Sequence, residues 1–208
     1  VLTAVMHQRW FIHGRENGMA ELTARIEEIT ASLKQHEFEK KSDRYSTPTV
    51  LKDWFGDNRL KALSSHEARS HIKSDLHRYL FASVYAQVRK ESPKLRNFPE
   101  ELLPNHKNVQ QDTTEYVFED RFRVQLADAP ATTITSHISK DGHYYIHYDP
   151  AQCRSLTVRE VARLQTFPDN YKFEGNRTAQ YHQVGNAVPP LLANQIADIV
   201  FDVLEGMD

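Results

Sequence analysis

Apolar residues recur at every third or fourth position in three parts of the chain. Such a stripe lies on one face of an α-helix, so each part predicts a helix that packs this face against a partner surface. The three stripes are Leu22, Ile26, Ile29 and Leu33 within Met19–Gln35, Ile72, Leu76, Leu80, Val84 and Val88 after Ser64, and Leu192, Ile196, Ile199 and Val203 near the C-terminus.

Turn and cap residues mark where these helices begin and end. Ser64 and Glu67 have the spacing of a capping box that opens the second helix, and Pro93 ends it. Between the first two helices, the polar segment 36–49 predicts a loop, and 50–55 predicts a short helical turn that carries Trp54.

The apolar period changes to two from Tyr116 onward, which predicts β-strands. Asp141 and Gly142 predict a hairpin turn. The predicted strands are Tyr116–Phe118, Arg121–Gln125, Thr132–Ser136 and His143–Tyr148.

The predicted fold class is therefore α+β, with a helical N-terminal part, a small antiparallel sheet and C-terminal helices. We divide the chain into an N-terminal helical and linker segment (1–63), a region with the long helix and the strands (64–150), and a C-terminal segment (151–208).

Composition and charge limit the classes of function. The chain has 208 residues, a net charge of −2 and one cysteine. A free-standing nonspecific DNA-binding protein is usually basic, so any DNA binding must come from a local patch. A single cysteine excludes an internal disulfide framework and predicts a cytoplasmic location. No apolar run in the sequence is long enough to predict a membrane span, so no membrane partner is expected. The first residue is not Met, which suggests a fragment of a longer protein.

Clusters of basic residues are candidates for contacts with DNA phosphates, although a solvated helix face explains them equally well. Lys140 at the predicted hairpin tip is either a phosphate contact or part of an ordinary turn. The DNA-binding candidates are Arg78, Arg121, Arg123 and Lys140, within a wider basic set of Arg69, His71, Lys73, His77, Arg89, Lys90, Lys94 and Arg96.

Three histidines on neighbouring predicted strands, His137, His143 and His147, raise the question of a metal site. Cysteine or acidic ligands with zinc-like spacing are missing from the sequence around them. Histidines that are hydrogen-bonded or that contact DNA phosphates are the favoured interpretation, and we predict no metal site.

Two dense motifs near the C-terminus carry the most information. In Arg154–Asp169, Thr157 and Glu160 form a capping box for a short helix, and Phe167-Pro168 stops that helix. In Gln183–Pro190, Gly185-Asn186 predicts a turn, and the two prolines suit the first turn of the last helix.

These two motifs resemble the ninth and tenth conserved blocks of the DNA cytosine-5 methyltransferases. The preceding segments resemble the strands that lead out of the target-recognition region of that family. They are Asp128-Ala-Pro130, Thr132–Thr135 and His143–His147. The resemblance is dense from about Phe118 to the C-terminal helix, weak between Ser64 and Asn108, and not detectable before that.

The resemblance implies methyl transfer from S-adenosylmethionine to C5 of cytosine in duplex DNA, with the base flipped out of the helix. It also implies a Pro-Cys nucleophile and a Rossmann-like half with a glycine-rich turn, and neither is in this sequence. Cys153 follows Gln152 instead of a proline; Arg154 beside it could activate the thiol, but an incidental thiol is favoured. We assign no catalytic residue to this chain.

Residue roles follow from the resemblance. The residues matching the cofactor pocket are Asn186 and Ala187, and the last helix would complete the Rossmann-like domain supplied elsewhere. Most of the family's S-adenosylmethionine site would lie on that absent N-terminal half. The other motif residues are expected to be structural, namely Arg154, Thr157, Arg159, Glu160, Arg163, Gln183 and Gly185.

Three hypotheses about function remain open. The chain is the C-terminal part of a DNA cytosine-5 methyltransferase, whose catalytic half is in cis or in trans. It is otherwise the recognition subunit of a naturally split methyltransferase, or a non-catalytic DNA-binding module. In all three, duplex DNA is the expected partner.

Overall fold

The computed structural model describes residues 1–35, 51–105 and 119–206. Eight α-helices are seen in these ranges, and shorter 3-10 helices lie between them. The α-helices are α1 (Leu2–Val5), α2 (Arg9–Ile12), α3 (Ala20–Gln35), α4 (Lys52–Phe55), α5 (Lys73–Arg89), α6 (Val158–Leu164), α7 (Arg177–Asn186) and α8 (Pro190–Glu205). The 3-10 helices are Leu95–Asn97, Glu100–Leu102 and Ser136–Ser139.

The chain divides into two compact units, each built from segments that are separated in the sequence. The first unit comprises Val1–Lys40, Ala68–Thr132 and Gly142–Leu156, and the second comprises Lys41–Glu67, Thr133–Asp141 and Thr157–Asp208. The sequence suggests consecutive segments, whereas the structure assembles each unit from interleaved ones.

The core of the first unit forms between α3 and α5. Leu22 and Ile26 of α3 are buried, which confirms the helix predicted from this stripe. In α5, Leu80 and Val84 are fully buried, and so is Tyr79 beside the stripe. Burial therefore extends around more of α5 than one amphipathic face requires.

The aromatic N-terminal stretch belongs to this same core. Trp10 and Phe11 of α2 are buried, and the Trp10 ring meets Phe81 of α5 edge-on at 5.5 Å between ring centroids. The Trp10 indole N–H donates to Gln8 Oε1 at 2.6 Å, which satisfies its polar atom inside an apolar site.

The predicted antiparallel sheet is wrong: the described residues contain no β-strand. Within 121–125, 132–136 and 143–148 only isolated bridges occur, a parallel one between Val124 and Ile146 and an antiparallel one between Ile146 and Ser155. The segment 116–118, predicted as a strand, lies outside the described residues. The α+β class is corrected accordingly, to helices joined by extended segments.

Scattered backbone hydrogen bonds join these extended segments, such as those of the Arg123 and Gln125 N–H groups to the His143 and Ile146 carbonyls at 2.8 and 2.9 Å, and side chains add to them. The Val124 N–H donates to Ser92 Oγ at 3.0 Å, and the Gln125 amide donates to the Tyr144 carbonyl at 2.8 Å. Gln125 Oε1 in turn accepts the Thr132 N–H at 3.0 Å. Because isolated backbone bonds and side-chain bonds together satisfy these backbone groups, the alternating apolar pattern is buried without a continuous strand.

The predicted hairpin at Asp141-Gly142 is also absent, although its glycine is required. Gly142 has φ +80° and its carbonyl accepts the Tyr145 N–H at 2.9 Å, which makes a tight bend. A Cβ at Gly142 would lie 2.8 Å from Ser155 Oγ. Both the backbone conformation and the close approach select glycine here.

The second capping box predicted from the sequence, Ser64 with Glu67, does not open a helix. Ser65 has φ +60°, and α5 begins only at Lys73 with Ile72 as its exposed N-cap. Ser64 and Ser65 instead accept hydrogen bonds from Arg159 in the second unit. A tertiary contact thus outweighs the local capping preference. The short helix α4, in contrast, confirms the helical turn around Trp54 over its described part.

The helix α8 differs from all other long helices, because none of its residues is buried. Within Arg177–Glu205 the composition and length would suffice for a membrane span, which the sequence pattern did not lead us to expect. The resemblance to a membrane-spanning helix is weak, because the stretch consists of two helices separated at 187–189. In addition, Asp198 and Asp202 lie within α8. Sixteen residues extend about 24 Å, less than a bilayer core requires.

Candidate functional site

The helix α6 begins with the capping box that the sequence predicts. The Thr157 N–H donates to Glu160 Oε2 at 2.7 Å, and the Glu160 N–H donates to Thr157 Oγ1 at 3.2 Å. His66 adds a hydrogen bond of 3.0 Å to Thr157 Oγ1. The box is confirmed, and it fixes the start of the helix that carries the arginines of this motif.

Arg159, at 1% exposure, is the largest fully buried side chain in the part of the protein that the structure describes. Its guanidinium donates to the carbonyls of Ser64, Pro168 and Tyr171 at 3.1, 3.2 and 2.7 Å. It also lies over the Phe173 ring, 5.6 Å from the centroid. Burial lowers the pKa of Arg159, since desolvation disfavours the charged form. One side chain thus ties two separate segments to α6, the one at Ser64 and the loop that contains Pro168 and Tyr171.

Arg163 and Asp169 form the second polar connection of this region. Arg163 Nε and Nη2 donate to the two carboxylate oxygens of Asp169, both at 2.8 Å. The Asp169 side chain is fully buried, and its N–H donates to the Phe55 carbonyl at 3.1 Å. A bidentate pair of this kind fixes geometry more tightly than a single contact does.

Gln165 and Thr166, at the end of α6, hold the connection between α7 and α8. The Gln165 amide donates to the Val184 and Ala187 carbonyls at 3.3 and 3.4 Å. Thr166 has φ +63°, and its Oγ1 accepts the Leu191 N–H at 3.1 Å. Gln165 and Thr166 therefore restrain both sides of the break between α7 and α8 at 187–189.

Gly185 lies near the end of α7, and the turn predicted at Gly185-Asn186 is wrong, because both residues are helical. The glycine is needed for packing: a Cβ there would lie 2.5 Å from the Ser136 nitrogen and 2.6 Å from the Thr135 carbonyl carbon. The 3-10 helix Ser136–Ser139 thereby approaches the α7 backbone more closely than any side chain would permit. Gln183 on the same helix is exposed and donates to the Glu174 carbonyl at 2.8 Å.

Asn186 and Ala187, the predicted cofactor-binding residues, lie where α7 ends. Asn186 is exposed and Ala187 is half-buried. An exposed amide offers both a donor and an acceptor, which fits the amino-acid moiety of S-adenosylmethionine. The unburied helix α8 begins three residues after Ala187. Cofactor binding stays a prediction for both residues.

Cys153, in the first unit, has the surroundings of an inert thiol. It is buried, its S–H donates to the Pro150 carbonyl at 3.0 Å, and burial raises its pKa to about 12. The activation by Arg154 considered from the sequence does not occur: Arg154 donates to Gln152 Oε1 at 2.7 Å and to the Ser155 carbonyl at 3.1 Å. A buried thiol with a raised pKa is protonated near neutral pH, which disfavours a role as a nucleophile.

The four candidate DNA-binding residues have different environments. Lys140 is exposed, in the second unit. In the first unit, Arg121 and Arg123 are half-buried, and Arg123 pairs with Asp120. Arg78 donates to the Leu102 carbonyl at 2.7 Å and to Asp75 at 2.8 Å, and its side chain is 12% exposed.

Several members of the wider basic set are also engaged within the first unit. Arg89 pairs with Glu21 at 2.9 Å, and Lys94 and Arg96 approach Glu119 at 3.5 and 3.6 Å. His77 is buried, and desolvation lowers its pKa. Contact with DNA stays a prediction for all of these residues.

Two of the three histidines considered as metal ligands are buried and form hydrogen bonds. His143 Nδ1 lies 2.8 Å from the Tyr79 hydroxyl, and His147 Nδ1 accepts the Asp149 N–H at 3.0 Å. His137 is exposed. Within the described ranges, no group of three His, Cys, Asp or Glu residues is placed to hold a metal ion.

The sequence analysis missed several residues that complete this region. Gln165 and Thr166 lie inside the motif but were treated only as the end of a helix. Trp54 donates its indole N–H to the Thr166 carbonyl at 2.7 Å, across 112 positions of sequence. An isolated tryptophan next to a polar segment was the available signal for such a contact, whereas nothing in the sequence around Ser64 indicates its role as an acceptor.

Comparison with known proteins identifies the family. The family model for C-5 cytosine-specific DNA methylase matches residues 6–202. The chain is 52% identical over 143 residues to a type II methyltransferase, M.Bpa9945I, of Bacillus paralicheniformis, covering 69% of this chain and 30% of that protein. It is 37% identical over 145 residues to M1.HphI of Haemophilus parahaemolyticus, covering 70% of this chain and 32% of that protein.

A third relative carries the activity in its name. It is the DNA (cytosine-5-)-methyltransferase M.ApeKI of Aeropyrum pernix, 42% identical over 78 residues, which are 38% of this chain and 16% of that protein. The chain thus spans about a third or less of the length of these curated relatives. No solved structure matches it. The extent of the family match nevertheless decides the assignment, and the chain belongs to the C-5 cytosine-specific DNA methylases.

Proposed function

We propose that this chain is the C-terminal part of a DNA cytosine-5 methyltransferase that uses S-adenosylmethionine to methylate C5 of cytosine in duplex DNA. In this proposal it contributes to DNA recognition and forms part of the cofactor pocket. The nucleophilic cysteine and the glycine-rich turn belong to a catalytic half, supplied in cis or in trans. The family membership and the exposed helix α8 support this division.

The exposure of α8 is the observation that carries the proposal. Seven of its large apolar residues are between 47% and 64% exposed, including Leu192, Ile196 and Phe201. Burying one such side chain fully contributes about 1.5–3 kcal/mol, so a helix of this composition is stable against a protein surface and costly in water. The Rossmann-like half of the family is the partner that this helix fits.

Asn186 and Ala187 are proposed to contact the cofactor from the end of α7. Bound S-adenosylmethionine would supply the methyl group. The exposed Asn186 amide can donate to a carboxylate and accept from an ammonium group, which fits the amino-acid end of that ligand. The buried connections around Arg159 and Arg163 are proposed to hold this end of the second unit in place.

Contact with DNA is proposed for Lys140 in the second unit and for Arg121 and Arg123 in the first. Lys140 is the exposed member of the set and suits a phosphate contact. Since Arg78 is engaged by backbone carbonyls and Asp75, we propose a structural role for it in place of a DNA contact.

Complementation tests the proposal. The purified chain is expected to transfer no labelled methyl groups to duplex DNA by itself. Activity should appear when it is combined with a polypeptide that carries the Pro-Cys loop and the glycine-rich turn of the family. Ile196→Asp should abolish this complementation, because it places a charge on the apolar face of α8.

Gln195→Asp is the matched control, since it adds the same charge at an exposed polar position of the same helix. It should leave complementation intact, and both variants should leave the thermal stability of the isolated chain unchanged. Methyl transfer by the chain alone would refute the proposal. Full activity of the Ile196→Asp complex would remove its main support.

A further inference from the structure

The break between α7 and α8 is held by two residues for which the family assignment gives no role. α7 ends at Asn186 and α8 begins at Pro190, so the residues proposed to contact the cofactor lie at or just before this break. A short unpaired segment is mobile unless side chains bind its backbone groups. The contacts that restrain it therefore bear directly on the geometry of Asn186.

Gln165 restrains the α7 side of the break. It is 9% exposed, and its own N–H is fixed to the Val161 carbonyl at 3.0 Å, at the end of α6. From there its amide nitrogen reaches the Val184 and Ala187 carbonyls, at 3.3 and 3.4 Å. These carbonyls flank Asn186, so one amide group sets the direction in which the chain leaves α7.

Thr166 restrains the α8 side. Pro190 has no N–H, so the Leu191 N–H is the first donor of α8, and Thr166 Oγ1 accepts it at 3.1 Å. Thr166 does so with φ +63°, a left-handed conformation that is unfavourable for a β-branched residue. The Trp54 indole, bonded to the Thr166 carbonyl at 2.7 Å, helps to hold that conformation.

We infer that Gln165 and Thr166 are positioning residues that set the orientation of Asn186 and Ala187 for cofactor binding. The inference rests on the proposed function of Asn186. It assigns no direct contact with the cofactor to either residue. Glycine would adopt the left-handed conformation at position 166 without strain. The hydroxyl, which glycine lacks, explains why a threonine stands there.

Thr166→Gly separates positioning from stability. Glycine relieves the left-handed backbone and removes the hydroxyl, so the melting temperature of the chain should stay the same or rise. The dissociation constant for S-adenosylmethionine, measured by calorimetry on the chain assembled with its catalytic half, should nevertheless rise about ten-fold, the effect of one lost hydrogen bond. Affinity for duplex DNA should change by less than about two-fold.

A second readout needs no cofactor. In the chain alone, Thr166→Gly should accelerate hydrogen exchange of the Leu191 amide, and Gln165→Met should accelerate that of Ala187. Gln180→Met is the matched control, because the Gln180 amide also donates to a backbone carbonyl at 3.0 Å, but this is the Gly175 carbonyl, which lies before the start of α7 and not at the break. It should change neither exchange rate nor cofactor affinity.

The double variant tests whether Thr166 acts through Asn186. If it does, adding Thr166→Gly to Asn186→Ala should weaken cofactor binding little beyond Asn186→Ala alone. Any of four results would overturn the inference. In Thr166→Gly these are an unchanged cofactor affinity, equal losses of cofactor and DNA affinity, or unchanged exchange of the Leu191 amide. In the double variant it is a loss of cofactor affinity equal to the sum of the two single losses. A normal cofactor affinity in Asn186→Ala would overturn the proposed pocket and this inference together; normal affinity in Thr166→Gly alone would overturn only the inference.

Discussion

The helices α5 and α8 are nearly equal in length, 17 and 16 residues, and both have an apolar stripe, yet their environments are opposite. Leu80 and Val84 of α5 are fully buried within the first unit. Ile196 and Ile199 of α8, in the second unit, are 50% and 64% exposed. A hydrophobic stripe therefore predicts that a helix needs a partner surface, but not that this polypeptide supplies it.

The difference also separates two kinds of expected mutational effect. Side chains enclosed within a unit should determine the stability of the isolated chain, whereas side chains on α8 should determine only what the chain associates with. Large losses of stability from exposed α8 positions would remove this distinction.

The largest contrast is expected between Leu80→Ala and Ile196→Ala. Leu80→Ala leaves a cavity in a closed core and should lower the free energy of unfolding by about 2–5 kcal/mol. Ile196→Ala removes apolar surface that is already half exposed. It should change the free energy of unfolding by less than about 0.5 kcal/mol. Urea denaturation of the two variants measures both values, and similar losses would contradict the comparison.

Arg159→Met is expected to come next. It leaves the Ser64, Pro168 and Tyr171 carbonyls without their buried donor, so unfolding should become easier by about 3 kcal/mol. Arg15→Met is the control, because the Arg15 side chain is 72% exposed and its ion pair with Glu27 should contribute little. Denaturation curves that coincide for the two variants would show that the buried guanidinium is not a connecting element.

Gly185→Ala should have a smaller effect, of about 1–3 kcal/mol, since its Cβ would meet the backbone at Thr135 and Ser136. At Gly206 the nearest atom to an added Cβ is the Asp202 carbonyl oxygen at 3.4 Å, so Gly206→Ala should be close to neutral. The melting temperatures of both variants check the difference. Equal melting temperatures would show that the 136–139 segment moves away from α7 at little cost.

Thiol chemistry gives the smallest and most local test. Burial raises the pKa of Cys153 to about 12, so a disulfide reagent at pH 8 should react slowly with the folded chain. A cysteine introduced by Ile196→Cys together with Cys153→Ser should react at the rate of a free thiol, because position 196 is exposed. Fast reaction of Cys153 would show that its surroundings open readily.

The same thiol gives a pH dependence with a definite sign. In the folded chain the neutral form persists up to a pKa of about 12, whereas the unfolded chain ionises near its ordinary value of 9.0. The unfolded state therefore binds fewer protons between these values, and stability falls as pH rises through this range. Cys153→Ser should reduce that fall, which urea titrations at pH 8 and 10 can measure.

Much of the helical structure was predictable because its signals are local. The stripe in Met19–Gln35 and the box at Thr157 with Glu160 combine periodicity with a specific cap, and both are confirmed. Alternation predicted a sheet that the described residues do not contain, because Val124, Ile146 and Ser155 meet only at isolated bridges. Alternation reports which side chains are buried, whereas pairing depends on which segments meet.

The candidate site shows the same limit. The sequence pointed to Asn186 and Ala187 through a resemblance, but the residues that hold the adjoining break came only from the structure. Gly185 was singled out for a predicted turn, whereas the structure places it in a helix where another backbone segment approaches closely. A glycine has many uses, and only its neighbours in space decide among them.

The sequence by itself determined the helices with caps and stripes, the two C-terminal motifs and the family they resemble, because these depend on residues near one another in the chain. The tertiary structure alone decided that Arg159 joins the Ser64 segment to the loop after α6, that Ser64 serves as an acceptor, and that α8 has no covering surface among the described residues. Hydrogen bonds and burial depend on which distant segments come into contact, and local residue patterns do not specify these long-range contacts.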